Sequence, residues 1–275
     1  MNIPQATLAS LLPRYDTYII DQFGTLHDGE RPYAGAVAAL RMLRRAGKRV
    51  VLLSNSGRRV GLNTERLHRI GIPLDSYDEL ITSGEIGWRM LRDRELTVAR
   101  SARTCFLLAR GGDTSPVDGV NLSLVSRGED ADLVVIAGSD GECVPLSQYR
   151  EWLLPAASRD IPCLCINPDR IMLIGSGRAF GAGAIAQLYQ ELGGKVTWIG
   201  KPYSAIYDAT LGGADRTRVI TIGDSIEHDI AGAVGAHCAS ALVRTGIIDD
   251  TRNAEIAKEC AYWGAWPTVL MSAFR

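Results

Sequence analysis

Two acidic clusters lie in distant parts of the chain, Asp21-x-x-Gly24-Thr25 near its start and Gly223-Asp224-Ser225 with Asp229 near its end. Each follows a short run of β-branched and aliphatic residues, Thr17 to Ile20 and Val219 to Ile222. Such runs read as buried strands of a parallel sheet. Loops at the carboxyl ends of parallel strands open into one crevice, so a fold that pairs these strands brings Asp21 and Asp224 together. Two carboxylates with carbonyl groups and water form an oxygen donor set that suits Mg²⁺.

A chain of 275 residues can bury a full core and has room for two domains. Its formal charge of -1 makes no electrostatic case for nucleic acid or an anionic membrane, which leaves a small soluble molecule as the expected partner. Apolar runs fall well short of the roughly 20 residues that span a bilayer, and no basic segment followed by an apolar one opens the sequence. Cys105, Cys143, Cys163, Cys165, Cys238 and Cys260 show neither a C-x-x-C pair nor zinc spacing. Reduced cysteines in a cytoplasmic protein are the expectation.

From Asp16 the pattern alternates strand, helix, strand and helix up to Ile70, and the alternation returns from Gly181 to Val243. That is the grammar of an α/β fold with a doubly wound parallel sheet. Between the two stretches lie strand-like runs at Thr104–Leu108, Leu133–Ala137 and Cys163–Ile166, broken up by Gly-Gly-Asp, Ser-Pro and Val-Asp-Gly turns. We read residues 1–82 and 181–275 as one core domain and residues 83–180 as a smaller α/β module inserted into it.

Asp21 alone reads equally well as a turn residue before glycine. Its companions change the reading: Ser54 closes Val50-Val51-Leu52-Leu53, Lys201 follows Trp198-Ile199-Gly200, and Asp224 follows Ile220-Thr221-Ile222-Gly223. Phosphoryl transfer needs a nucleophile, a divalent cation to neutralise oxygen charge and fixed donors for the equatorial oxygens. Asp21 fits the attacking group and Asp224 the metal ligand. Ser54 and nearby backbone N–H groups suit the phosphoryl oxygens, Lys201 balances phosphate and nucleophile, and Asp229 orients the metal shell.

These four motifs, in this order, resemble the haloacid dehalogenase-like hydrolases. Asn55-Ser56 after Ser54, Gly71-Ile72, Thr82-Ser83-Gly84, Asn167-Pro168-Asp169 and Gly200-Lys201-Pro202 resemble more narrowly its class IIA members, the NagD-like or p-nitrophenylphosphatase-like enzymes. The resemblance implies a Rossmann-like core with an inserted cap that closes over a small phosphorylated metabolite such as a sugar phosphate. It implies an aspartyl-phosphate on Asp21, Mg²⁺ held by Asp21, Asp224 and the backbone carbonyl of Phe23, and phosphate or substrate contacts from Ser54, Asn55, Lys201 and Asp169.

One position departs from the pattern. Phosphatases of this kind usually carry a second Asp two residues after the nucleophile, where it protonates the leaving alkoxide and activates water, and here that residue is Phe23. Loss of such a group typically costs on the order of 10² to 10⁴ in rate. Three readings stay open: His27 or a cap residue such as Asp169 moves the proton, the substrate has a good leaving group such as an acyl or aryl phosphate, or the chemistry is displacement of halide without a metal. A relative that binds phosphate without hydrolysing it is a further alternative. His27 itself reads more simply as a turn residue facing solvent, and His228 as a helix-surface residue.

Arg58 and Arg59 read as solvated arginines at a helix start. Gly111-Gly112-Asp113 and Gly175-Ser176-Gly177 match no nucleotide-binding loop and read as turns. The aromatic tail Tyr262-Trp263-Gly264-Ala265-Trp266-Pro267 is expected to pack on the core, the alternative being a subunit contact in a homodimer.

Overall fold

The computed structural model describes residues 3–174, 177–249 and 251–275. Its strands are, in chain order, β1 (Thr17–Asp21), β2 (Arg49–Ser54), β3 (Glu79–Thr82), β4 (Thr104–Leu108), β5 (Ser123–Val125), β6 (Leu133–Ile136) and β7 (Cys163–Cys165). They continue with β8 (Ile171–Ile174), β9 (Gly177–Phe180), β10 (Val196–Trp198), β11 (Val219–Gly223), β12 (Ala239–Val243) and β13 (Val269–Met271). The chain divides into two units. One holds the chain up to Ser54, Gly61–Ile81 and Lys201–Arg275, and the other holds Asn55–Val60 and Thr82–Gly200.

The first unit is built on a sheet of order β13-β12-β11-β1-β2-β3. β1 pairs in parallel with β11 on one side, Ile20 opposite Ile222, and with β2 on the other, Ile20 opposite Leu52. Tyr18, Ile19, Ile20, Val50, Val51, Leu52, Leu53, Ile220 and Ile222 have no exposed surface. Burying each such aliphatic side chain contributes about 1.5–3 kcal/mol, which is why these runs are continuous rather than alternating. The chain leaves β1 toward β2 and later returns to its other side through β11, so the strand order switches between β1 and β11.

Helix Ala36–Arg45 buries Ala36, Ala39, Leu40 and Leu43, the spacing of one helical face, and ends on Arg44 and Arg45, whose charge suits a helix C-terminus. Just before β1, Asp16 accepts hydrogen bonds from Arg218 (2.8 and 3.0 Å) and Lys48 (3.0 Å), joining the residues that lead into β1, β11 and β2. In the tail, Trp263 and Trp266 pack against Ile256, Cys260, Ala265 and Leu270, as expected, while Tyr262 stays 79% exposed.

The second unit has its own parallel sheet, β10-β7-β6-β4-β5, and the antiparallel hairpin β8-β9. Here the structure corrects the boundaries read from sequence. β10 does not join the first sheet: Val196 pairs with Cys163 and Trp198 with Cys165 of β7. Helix Ala182–Glu191 buries Ile185, Ala186, Leu188 and Tyr189 among Val134, Ile136, Cys163 and Cys165 of the same unit. Residues 181–200, assigned to the core from the strand-helix rhythm, thus belong to the second unit, as does 55–60. Both sheets are parallel and obey one rhythm, so the alternation cannot say which sheet a given strand joins.

The described cysteines are free. Burial pushes the Cys105 and Cys165 thiols up to about 12, so they act as small apolar core groups. Arg110–Gly112 forms a tight turn, in agreement with the reading of Gly111-Gly112-Asp113. Of the other glycine-rich run, Gly175 and Ser176 lie outside the described residues. No described helix is long and apolar enough to cross a membrane.

Candidate active site

Asp21 is the last residue of β1 and lies opposite Leu53, which places Ser54 one residue further along the neighbouring strand end. Asp224 directly follows β11. Beyond it the chain makes a single π-turn, Ile226–Ile230, of the kind that recurs at functional sites. That turn folds Asp229 back toward the strand end, where its Oδ2 accepts the Ser225 N–H at 3.1 Å. Ser225 Oγ caps the turn by accepting the His228 N–H at 3.1 Å.

The three carboxylates converge: one oxygen each of Asp21, Asp224 and Asp229 lies within 4.8 Å of the others. Lys201, which precedes a cis proline, sends its ammonium into the same place, donating to Asp21 Oδ1 at 2.5 Å and to Asp229 Oδ1 at 2.6 Å. Lys201, Asp224 and Asp229 are 3%, 4% and 1% exposed. Burial alone pushes the Lys201 ammonium down, and the Asp21 and Asp229 carboxylates outweigh it, holding the group protonated well above the lysine range. Burial, then the charges of Asp21 and Asp229, pushes Asp224 up as well, well above the carboxylate range.

Three carboxylates face one ammonium, so the fully ionised cluster carries surplus negative charge in a place water scarcely reaches. A divalent cation relieves that surplus, and the donors are hard oxygens, so the residues present fit Mg²⁺.

A second layer holds Asp224, and sequence reading missed it. Gly24 adopts φ +85°, and a Cβ there would come 2.1 Å from Asp224 Oδ2. Gly246, at φ +63°, approaches the same carboxylate, and a Cβ there would meet the same oxygen at 2.0 Å and the Gly24 Cα at 2.5 Å. Only glycine allows both backbones so close. The Ile247 N–H donates to Asp224 Oδ2 at 2.8 Å, and Thr245 Oγ1 donates to the Gly24 carbonyl at 2.6 Å. The signal was present in part, a Thr-Gly pair just after a strand, but it carries no charge to draw the eye. The segment Phe23-Gly24 thus lies against the carboxylates, which keeps the Phe23 carbonyl a candidate ligand.

The Phe23 ring is half-buried and meets the His27 ring edge to face, centroids 5.5 Å apart. His27 is not the solvent-facing turn residue expected: it is fully buried, and its Nδ1 accepts the Gly29 N–H at 3.0 Å. Burial, aided by the charge of Arg66, pushes it down to about 4, so it is neutral near pH 7. The short turn from Gln22 to His27, with Leu26 N–H bonded to the Gln22 carbonyl at 2.8 Å, is what folds this histidine inward.

In the second unit, Asn55 Nδ2 donates to Asp169 Oδ1 at 2.8 Å. Asn167 Oδ1 accepts the Asp169 N–H at 3.2 Å, so the Asn-Pro-Asp turn and the Asn55 contact coexist. Arg59 is not merely solvated, since it pairs with Glu85 at 2.9 Å and its guanidinium stacks 3.5 Å over the Trp88 ring.

A parallel α/β sheet that gathers an aspartate nucleophile candidate, a buried lysine and two further aspartates at its switch point defines a class, and the comparisons agree with it. The haloacid dehalogenase-like hydrolase model matches residues 18–123, and the HAD-hydrolase-like model matches residues 198–266. The sugar-phosphatase AraL of Bacillus subtilis is 30% identical, the match spanning 83% of this chain and 82% of that protein. Chronophin of Mus musculus is 28% identical over 88% of this chain and 85% of its own. A haloacid dehalogenase-like hydrolase structure from Brucella suis superposes with a TM-score of 0.80 at 30% identity, covering 88% of this chain and 94% of that one. The chain belongs to the haloacid dehalogenase-like hydrolases, and within them to class IIA.

Proposed function

We propose that this chain is a Mg²⁺-dependent phosphatase that hydrolyses a small phosphorylated metabolite, of the sugar phosphate kind, through an aspartyl-phosphate on Asp21. The convergence of Asp21, Asp224, Asp229 and Lys201 carries this reading. The name of the sugar-phosphatase relative supports the substrate class. Asp21, Asp224 and the Phe23 carbonyl would hold the cation, with Asp229 behind them. The bound cation supplies neutralisation of phosphoryl oxygen charge and fixes the phosphate for in-line attack.

An Asp21 carboxylate oxygen forms a bond to phosphorus while the bond from phosphorus to the ester oxygen breaks, its electron pair leaving with that oxygen. Lys201 pairs with Asp21 and aims it, and with Ser54 offers positive charge and a hydroxyl donor to the transferring group. Water then attacks phosphorus and returns a proton to the group that protonated the leaving oxygen, Asp21 departs as carboxylate, and alcohol and inorganic phosphate are the products. The leaving oxygen takes its proton from a group other than residue 23, whose side chain is a hydrocarbon ring packed on His27. In this reading the second unit, with Asn55 and Asp169, selects the organic part of the substrate, and the enzyme works in the cytoplasm.

The packing of Phe23 favours one second reading, a slow or non-hydrolytic phosphate-binding relative. Phosphate release from p-nitrophenyl phosphate and a panel of sugar phosphates, with Mg²⁺ or with chelator, separates the two when run beside Asp21→Asn. Turnover that needs both Mg²⁺ and Asp21 supports the phosphatase. Phosphate binding without such turnover supports the binding protein, and halide release from 2-haloacids in chelator overturns both.

A further inference from the structure

Three consecutive residues after β12 lie against the carboxylate site, two by hydrogen bonds and one by close backbone approach. Thr245 Oγ1 donates to the Gly24 carbonyl (2.6 Å), a Cβ at Gly246 would come 2.0 Å from Asp224 Oδ2, and the Ile247 N–H donates to Asp224 Oδ2 (2.8 Å). The close approach of Gly246 to both Asp224 and Gly24 leaves no slack between them. Thr245, Gly246 and Ile247 carry no charge and offer no carboxylate, so no metal-ligand pattern singles them out.

We propose that the 245–247 loop is the positioning element of the cation site. It occupies one oxygen of Asp224, leaves the other for the cation, and locks the Gly24 peptide so that the main chain of residue 23 keeps its place beside that carboxylate. The physical ground is orientational. Asp224 and the 23–24 backbone arrive from separate strands, and a carboxylate with two rotatable bonds is a weak ligand unless something fixes its plane. The loop supplies that fixing from one side with hydrogen bonds whose partners lie on both the 21–25 and the 223–225 segments.

This inference rests on the reading of the cluster as a Mg²⁺ site, and the test separates the two. Mg²⁺ binding is measured by calorimetry on the full chain, and thermal stability is measured in chelator, for the natural protein, Thr245→Val, Thr245→Ser and Thr245→Ala. Thr245→Val removes the donor with little change of shape and is expected to weaken Mg²⁺ binding about 10- to 100-fold. Thr245→Ser keeps the hydroxyl and is expected to restore it, and Thr245→Ala, which also removes the donor, is expected to weaken binding in the same direction as Thr245→Val.

If the natural protein binds no Mg²⁺, both the metal reading and this inference fail. If it binds Mg²⁺ and Thr245→Val binds it equally well, the inference alone fails, even where that variant melts earlier in chelator, because the loop is then only structural. Should Thr245→Val not fold, unchanged Mg²⁺ affinity in Thr245→Ala overturns the inference, and weakened affinity there, with Thr245→Ser unchanged, supports it.

Discussion

Lys201 donates a 2.5 Å hydrogen bond to Asp21 although 180 residues separate them in the chain. The same ammonium reaches Asp229, so one cation partly offsets a buried cluster of three acids. Removing it as Lys201→Met should leave those acids uncompensated. In chelator the loss of a buried ionic partner is expected to cost about 3–5 kcal/mol of stability in urea unfolding. Added Mg²⁺ should restore part of that by binding only the folded state. A variant as stable as the natural protein in chelator, at neutral pH, would show that Lys201 does not balance the cluster.

Phe23→Asp is expected to raise kcat on alkyl phosphates, by as much as about 10²-fold, because general acid-base groups contribute on the order of 10² to 10⁴. On p-nitrophenyl phosphate, whose leaving group departs without a proton, the gain should be small. Steady-state kinetics on both substrates checks the contrast. Equal effects on both would mean that proton transfer to the leaving group is not what limits the natural enzyme.

Asp16 gives the acid limb a definite sign. Its hydrogen bonds from Arg218, then Lys48, pull it down to about 2 from an ordinary value of 3.8. The folded state thus binds this proton less readily than the unfolded one, and the stabilisation is present above about pH 4. It is lost as pH falls through the ordinary value toward 2. Asp16→Asn should remove this component of acid sensitivity, and because the group is exposed, high salt should shrink the difference between the two proteins. Unfolding curves between pH 2 and 5, which bracket the shift, measure it.

Ile185→Ala tests the corrected unit boundary. Ile185 is fully buried in the second unit, and large-to-small changes of this kind cost about 2–5 kcal/mol. Hydrogen exchange is expected to speed up for amides of β6 and β7 while β1 and β11 keep their protection. The opposite pattern would return helix Ala182–Glu191 to the first unit.

Much of the site was legible before any fold was known. Asp21, Ser54 and Asp224 each end or follow a run of apolar β-formers, and in one parallel sheet such positions share one edge. Lys201 follows β10, a strand of the other sheet, and Asp229 is brought back by the π-turn, so a shared edge did not place those two. His27 was misread because a six-residue offset from Asp21 does not say which way a turn points, whereas the bonds from Leu26 and His27 back to Gln22 turn it inward. The loop at Thr245, Gly246 and Ile247 escaped notice since its contribution is made by backbone N–H groups and one hydroxyl, which every chain has in plenty.

By itself the order of residues determined the α/β class, the parallel strands and the oxygen-donor chemistry at their ends, because those follow from local composition and period. Only the tertiary structure decided that β10 pairs with β7, that Lys201 is shared between Asp21 and Asp229, and that Gly24 and Gly246 close on Asp224. Each of these depends on which distant surfaces fit together, a matter of packing and register over the whole chain that no window of neighbouring residues contains.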